Sequence, residues 1–250
     1  MKLKDKVAIV TGGARDIGRA VSVKLAAEGC RVVVNYFNNE QAGTQTLNEI
    51  QQANGEAILV RADMTTENGV VELLARTQAA FGESIDVLVN VAGGLVSRKP
   101  LAEMDLGFFD QVMRLNMHST FLATQLVAPH MVEGSSIINL ASQAGRDGGG
   151  PGASAYAAAK GAVMAFTRAM AKELGPKNIR VNALCPGMIS TSFHDTFTLD
   201  QVRQNVAAAT PLKREGTASE VADLVCYLAS NESTFLNGVN LDINGGLLFS

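Results

Sequence analysis

Apolar positions along the chain follow two alternating rhythms. Short, strongly apolar, β-branched runs over 6–10, 31–34, 57–60, 85–90, 136–140, 180–184 and 239–243 read as strands. Between them, apolar residues recur three and four apart, which predicts helices over 19–28, 40–53, 66–81, 106–130, 155–174 and 219–229. Gly29 closes the first helix and Asn54-Gly55 the second. The strands are apolar nearly throughout, so both of their faces should be buried, as in parallel strands joined by helical crossovers. The expected class is α/β: a doubly wound parallel β-sheet with helices on both faces. No linker or repeat interrupts the rhythm, so 1–250 is expected to be one domain. Residues 187–217 stand apart. They lack a strand, hold Pro211 and are long for a connection, which predicts a substrate lid.

Composition narrows the picture. Apolar residues make up 47% and charged ones 18%, enough for an ordinary core. The net charge of −3 comes without a basic block, so no nucleic-acid partner is expected. No apolar run has the length of a membrane span. Met1-Lys2-Leu3-Lys4-Asp5 leads straight into the first strand without an apolar leader, so a cytoplasmic location is expected. Cys30, Cys185 and Cys226 have no metal-ligand spacing and should be buried free thiols. With three scattered histidines, no metal site is expected.

Two stretches carry chemistry. Thr11-Gly12-Gly13-Ala14-Arg15-Asp16-Ile17-Gly18 lies between the first strand and the first helix. Glycines there let backbone approach a pyrophosphate, and the helix start offers free N–H groups. Tyr156 and Lys160 are four apart on a predicted helix and share a face. A phenol titrates near pH ~10, and an ammonium one turn away should lower that value, making Tyr156 a general acid/base.

Thr11-Gly12-x-x-x-Asp16-x-Gly18, Asn90-x-Ala92-Gly93, Asn116, Ser142, Tyr156-x-x-x-Lys160 and Pro186-Gly187 occur in an order and spacing that resembles the classical short-chain dehydrogenases/reductases. The resemblance spans essentially the whole chain. It implies a Rossmann-type fold, a nicotinamide cofactor and hydride transfer between a carbonyl and an alcohol. Carried over residue by residue, it implies that Tyr156 gives and takes the proton, and that Lys160 tunes it and binds the nicotinamide ribose. Ser142 would bond the substrate oxygen, and Asn116 would hold a water in the proton relay. Gly12, Arg15, Asp16, Ile17 and Gly18 would line the phosphates; Tyr36, Asp63 and Met64 would lie on the adenosine side, Asp63 binding the adenine amino group. Asn90, Ala92 and Gly93 would shape the central strand ends, Asn90 by holding backbone. Pro186, Gly187, Ile189 and Thr191 would form the nicotinamide-side wall. A homotetramer built on the Asn116 and Tyr156 helices is also implied.

Three departures from the family pattern stand out. Asp16 replaces a glycine; it should turn away from the phosphates, either capping the helix at Ile17 or pairing with Arg15 or Arg19. Val91 replaces an asparagine. The interval from Ser142 to Tyr156 is one residue longer than the commonest family spacing, and Gly148-Gly149-Gly150-Pro151-Gly152 should absorb the extra residue. The second strand ends in Asn35-Tyr36-Phe37-Asn38 with no acid to repel a 2′-phosphate, and Arg15 could meet one. NADP(H) is therefore favoured, with NAD(H) the alternative. Arg98, Arg146 and His194 are the substrate-side candidates. Gly93-Gly94-Leu95-Val96-Ser97-Arg98-Lys99-Pro100, the Gly148–Gly152 run and Ser192-Phe193-His194 resemble reductases that convert 4-deoxy-L-erythro-5-hexoseulose uronate to 2-keto-3-deoxygluconate. A 3-oxoacyl-acyl carrier protein reductase is the alternative enzyme, and a non-catalytic dinucleotide-binding regulator the alternative of another class.

Overall fold

A computed structural model describes all residues 1–250. Seven parallel strands form one sheet in the order β3-β2-β1-β4-β5-β6-β7. They are β1 (Val7–Thr11), β2 (Arg31–Tyr36), β3 (Glu56–Arg61), β4 (Ile85–Asn90), β5 (Met131–Leu140), β6 (Arg180–Pro186) and β7 (Asn240–Ile243). The strand order reverses between β1 and β4, which opens a crevice at their carboxyl ends.

Successive strand residues face opposite sides, and each side has its own core. Val32 and Val34 pack with Val21 and Leu25 of α1 (Asp16–Ala27) and Val221 and Val225 of α10 (Ala218–Ala229). Val33 and Ile9 pack on the other face with Leu73 of α3 (Glu67–Phe81), Val127 of α5 (Ser119–Val127) and Leu174 of α7 (Ser154–Leu174). This two-sided burial explains why the strands read as unbroken apolar runs. The polar helix α2 (Glu40–Gln52) begins at Asn39, whose side chain accepts from Ala42 N. No helix is long and apolar enough to cross a membrane. All three cysteines are buried and unbonded.

The structure corrects the sequence reading in three places. The helix expected over 106–130 is α4 (Leu106–Met113), a π turn at Arg114–His118, and α5. Ser119 Oγ and Thr120 Oγ1 donate to the carbonyls of Leu115 and Asn116 at 2.6 and 2.9 Å, taking acceptors that the wider turn displaces from the helical ladder. β5 begins at Met131 rather than 136; its first residues are largely exposed and include Gly134 at φ +85°, so no apolar run marks them. The 187–217 segment is not plain loop. It holds α8 (Ser192–Phe197) and α9 (Asp200–Ala209), and returns to the body through a bridge between Ile189 and Gly216.

Candidate active site

The turn after β1 is shaped by bare backbone. Gly12 has φ +62°, and a Cβ there would sit 3.0 Å from Ala92. A Cβ on Gly18 would lie 2.0 Å from the Gly12 carbonyl oxygen, so α1 can start directly under the turn only with glycine. Gly12 N donates to Asn35 Oδ1 at 3.0 Å, while Asn35 Nδ2 reaches Ala62 O at 3.0 Å, pinning β1, β2 and the end of β3 together. In the sequence Asn35 stands out as an uncharged residue where an acid would oppose a 2′-phosphate, and its role as a clamp is tertiary. Its polar side chain at the end of an all-valine run was the available signal. The cradle of unhindered backbone at a helix start fits a dinucleotide pyrophosphate.

Asp16 departs from both expectations of a helix cap and of a bond to Arg19. It is itself the first residue of α1, at φ +51°, and the helix has no side-chain cap. Its carboxylate turns toward α8, accepting from Ser192 N at 2.9 Å and Ser192 Oγ at 2.6 Å. The pairing with Arg15 is found, at 3.6 Å. Arg19 instead bonds Thr46 and Gln45 of α2.

The β4 end is held by Thr11, whose Oγ1 accepts from Val91 N and Ala92 N at 3.1 and 3.2 Å. Asn90 does not hold backbone: its Nδ2 donates to Asn139 Oδ1 on the neighbouring strand and to Thr124. Asn116, on the π turn, clamps Gly94 from both sides. Its Nδ2 donates to Gly94 O and Val112 O at 2.8 and 2.9 Å, and its Oδ1 accepts from Gly94 N at 3.0 Å. That side chain is therefore a main-chain clamp rather than a free water ligand.

Tyr156 and Lys160 do share a face of α7, and Ser142 lies across from them at the end of β5. Lys160 Nζ sits 5.7 Å from the Tyr156 ring centroid and donates to Leu140 O at 2.6 Å. The expected lowering of the phenol is not found. Burial pushes Tyr156 above its ordinary value, and a hydrogen bond with Ser142 works in the opposite sense. Burial also pushes Lys160 down to about 8, so the ammonium is itself weakly held. The Ser142 hydroxyl additionally accepts from Ala144 N at 3.1 Å.

These groups line one cavity of about 550 Å³. Gly12, Arg15, Asp16, Ile17 and Gly18 of the glycine turn line it, as do Ala92, Gly93, Ser142, Tyr156 and Lys160. Pro186, Gly187, Ile189 and Thr191 line it after β6. Arg98 and His194 also line it, with Phe193, Val202 and Val206. Phe193 lies 6.0 Å from the Tyr156 ring. His194 bonds Thr198 Oγ1 through Nδ1 at 2.9 Å, and burial lowers its pKa.

Five further expected residues, besides Asn116, do not line the cavity. Arg146 points away, into an ion pair with Asp242 at 2.7 Å and a bond to Asn240 O at 2.6 Å; the short helix α6 (Ala144–Asp147) aims it at β7. Asp63 spends Oδ1 on Thr65 N and Oγ1. Tyr36 and Met64 are buried, and Asn90 is committed to its neighbours. In the Gly148–Gly152 run, Gly148, Gly149 and Gly152 are all at positive φ.

A family model described as Enoyl-(Acyl carrier protein) reductase matches residues 12–248. The chain is 36% identical over 255 residues to the short chain dehydrogenase/reductase AacuN of Aspergillus aculeatus, covering 98% of this chain and 96% of that one. It is 37% identical over 249 residues to a 3-oxoacyl-[acyl-carrier-protein] reductase of Synechocystis, covering 98% of each. A solved short-chain dehydrogenase/reductase from Serratia marcescens superposes with a TM-score of 0.93 at 30% identity over 99% of both chains.

Proposed function

We propose a substrate and a cofactor on a fixed premise: the chain belongs to the short-chain dehydrogenase/reductase family, oxidoreductases that act on carbonyl and alcohol groups with a nicotinamide dinucleotide. The proposed reaction is reduction of the aldehyde of a small sugar acid, such as 4-deoxy-L-erythro-5-hexoseulose uronate to 2-keto-3-deoxygluconate, with NADP(H). When bound, the cofactor supplies hydride to the carbonyl carbon. The protein's part is proton and geometry. Tyr156 donates its phenolic proton to the carbonyl oxygen, and Ser142 holds that oxygen in place by a hydrogen bond. Lys160 keeps a positive charge behind the phenol and stands ready for a ribose hydroxyl. The glycine cradle takes the pyrophosphate, and Arg15 at its mouth takes a 2′-phosphate, with no acid at the end of β2 to oppose it. Family resemblance also supports a homotetramer through the α4–α5 and α7 faces.

The observation that carries the acidic substrate is Arg98. It lines the cavity, and only its Nε and Nη1 are engaged, on Phe197 O and Pro151 O. Nη2 is free for a carboxylate. Such a charge-assisted bond contributes about 1.5–3 kcal/mol, or roughly 10- to 150-fold. Arg98→Ala disturbs two backbone contacts as well, so it should lower catalytic efficiency on every aldehyde. The test is the ratio: efficiency on the uronate aldehyde should fall roughly 10-fold or more beyond that on a neutral aldehyde of similar size. Equal losses on both would remove the acidic-sugar reading.

A second reading, 3-oxoacyl-acyl carrier protein reduction, is favoured by the Synechocystis relative and by the apolar wall of Leu95, Phe193, Val202 and Val206. Turnover of an acetoacetyl thioester faster than of any aldehyde acid would establish it.

A further inference from the structure

We propose that Asp16 is a positioning residue that ties the 187–217 lid to the phosphate loop, holding α8 over Tyr156. Three observations converge on it. First, both carboxylate oxygens of Asp16 are aimed across the crevice at one lid residue. Oδ1 accepts from Ser192 N at 2.9 Å and Oδ2 from Ser192 Oγ at 2.6 Å. Arg15 adds a third contact, Nη1 to Ser192 Oγ at 3.0 Å, and lies 3.6 Å from the Asp16 carboxylate. Second, the other end of α8 is held the same way from the β4 loop. Arg98 Nε donates to Phe197 O at 2.9 Å, and its Nη1 bonds Pro151 O at 3.0 Å. α8 thus hangs between the two loops that border the cavity. Third, what the two attachments deliver is an aromatic wall. Phe193 lies 6.0 Å from Tyr156 and 5.2 Å from Phe197, and both Phe193 and His194 line the cavity.

The position of the carboxylate matters. Asp16 is at φ +51°, on the loop whose backbone shapes the pyrophosphate cradle. A glycine there would satisfy the backbone angle at no steric cost, so the carboxylate is not explained by loop geometry. It faces α8 instead. Since Ser192 follows Thr191, which lines the cavity, a shift of the loop moves the lid, and opening of the lid moves the loop. Cofactor occupancy and lid closure are then coupled in both directions, as linkage requires. Arg15 sharpens the coupling, because the group offered to a 2′-phosphate also holds Ser192. The coupling is the same whichever carbonyl compound is reduced.

Hydrogen exchange on the ligand-free, full-length protein tests it without any turnover. The Ser192 amide is the donor in question, so its protection reads the contact directly. In Asp16→Gly, the amides over 191–198 should exchange about 10-fold faster or more, the loss expected when charge-assisted bonds are removed. Amides of β4 and β5 should be unchanged. Asp16→Asn tolerates the backbone angle but offers only one acceptor oxygen, and Ser192→Ala loses the hydroxyl contacts with Asp16 and Arg15 while keeping the amide bond. Both should fall between wild type and Asp16→Gly, which keeps the proposal testable should the glycine variant fold poorly. In turnover, Asp16→Gly should raise KM for charged and neutral carbonyl substrates alike, proportionally more than it changes kcat. Unchanged exchange over 191–198 in all three variants overturns the proposal. So does faster exchange confined to 12–19, which would make Asp16 a loop residue only. An equal increase throughout the sheet would reduce it to general stability and overturn it too.

Discussion

Lys160 should be a source of instability at neutral pH. It is buried, donates to Leu140 O at 2.6 Å, and has no carboxylate partner. Burial brings its pKa from 10.5 to about 8. The gap of about 2.5 pH units corresponds to about 3 kcal/mol of disfavoured charge. The sign follows from proton counts. Between pH 8 and 10.5 the unfolded chain keeps the lysine proton and the folded protein has lost it, so stability rises with pH across that window. Below pH 8 both states are protonated and the penalty is fully present. At pH 7 nearly all of the ~3 kcal/mol is felt, and at pH 9.5 roughly half of it remains, a recovery of about 2 kcal/mol. Lys160→Met removes the titrating group while keeping an unbranched apolar side chain. It leaves the Leu140 carbonyl without its donor, at a cost of about 1–3 kcal/mol that does not vary with pH. Urea unfolding of both proteins at pH 7 and 9.5 measures the effect. The wild type should gain about 2 kcal/mol relative to the variant over that interval. Groups away from Lys160 titrate in both proteins and cancel, and Cys185→Ser in both backgrounds removes the one thiol whose charge interacts with Lys160. Parallel stability curves would refute the assignment of a depressed, penalised lysine.

The remaining predictions concern the reaction. Tyr156→Phe removes the transferable proton but keeps the ring, so cofactor binding measured by titration should survive while turnover falls about 10²-fold or more; near-normal turnover would sink the general-acid role. Arg15→Ala should raise KM for NADPH well beyond any rise for NADH, and equal rises would show that Arg15 makes no 2′-phosphate contact.

The parts of the fold that could be read from sequence were those set by burial. The central strands were legible because they are buried on both faces, as Val32, Val33 and Val34 show by packing alternately into two cores. Tyr156 and Lys160 were legible because the helical period alone brings them together. What escaped was tertiary. The π turn sits among good helix formers, and its residues give no local signal. The clamp of Asn116 on Gly94 and the hydroxyls of Ser119 and Thr120 accompany it. Arg146 looked like a substrate cation because it follows Ser142 so closely, but its partner, Asp242, is 96 residues away. The same holds for Asp16, whose acceptor oxygens meet Ser192 at a separation of 176 residues. A charged side chain advertises its chemistry in the sequence but not its distant partner: Arg15 and Asp16 pair as neighbours, while Arg146 and Ser192-bound Asp16 reach partners far along the chain.

The electrostatics of the site bear on the direction in which it works. An ammonium beside a phenol would favour phenolate, the form that takes a proton from an alcohol. Here burial disfavours both charged forms at once: Tyr156 is pushed up and Lys160 down. The lysine also spends a donor on Leu140 O, and its nitrogen lies 5.7 Å from the Tyr156 ring centroid. Burial therefore favours the neutral phenol of Tyr156, while its hydrogen bond with Ser142 works in the opposite sense. A neutral phenol is a proton donor. Carbonyl reduction needs that proton delivered to the oxygen as the carbon accepts hydride, whereas alcohol oxidation needs the phenol ionised first. The buried phenol offers the proton that reduction needs, and forming phenolate would have to work against the burial of Tyr156.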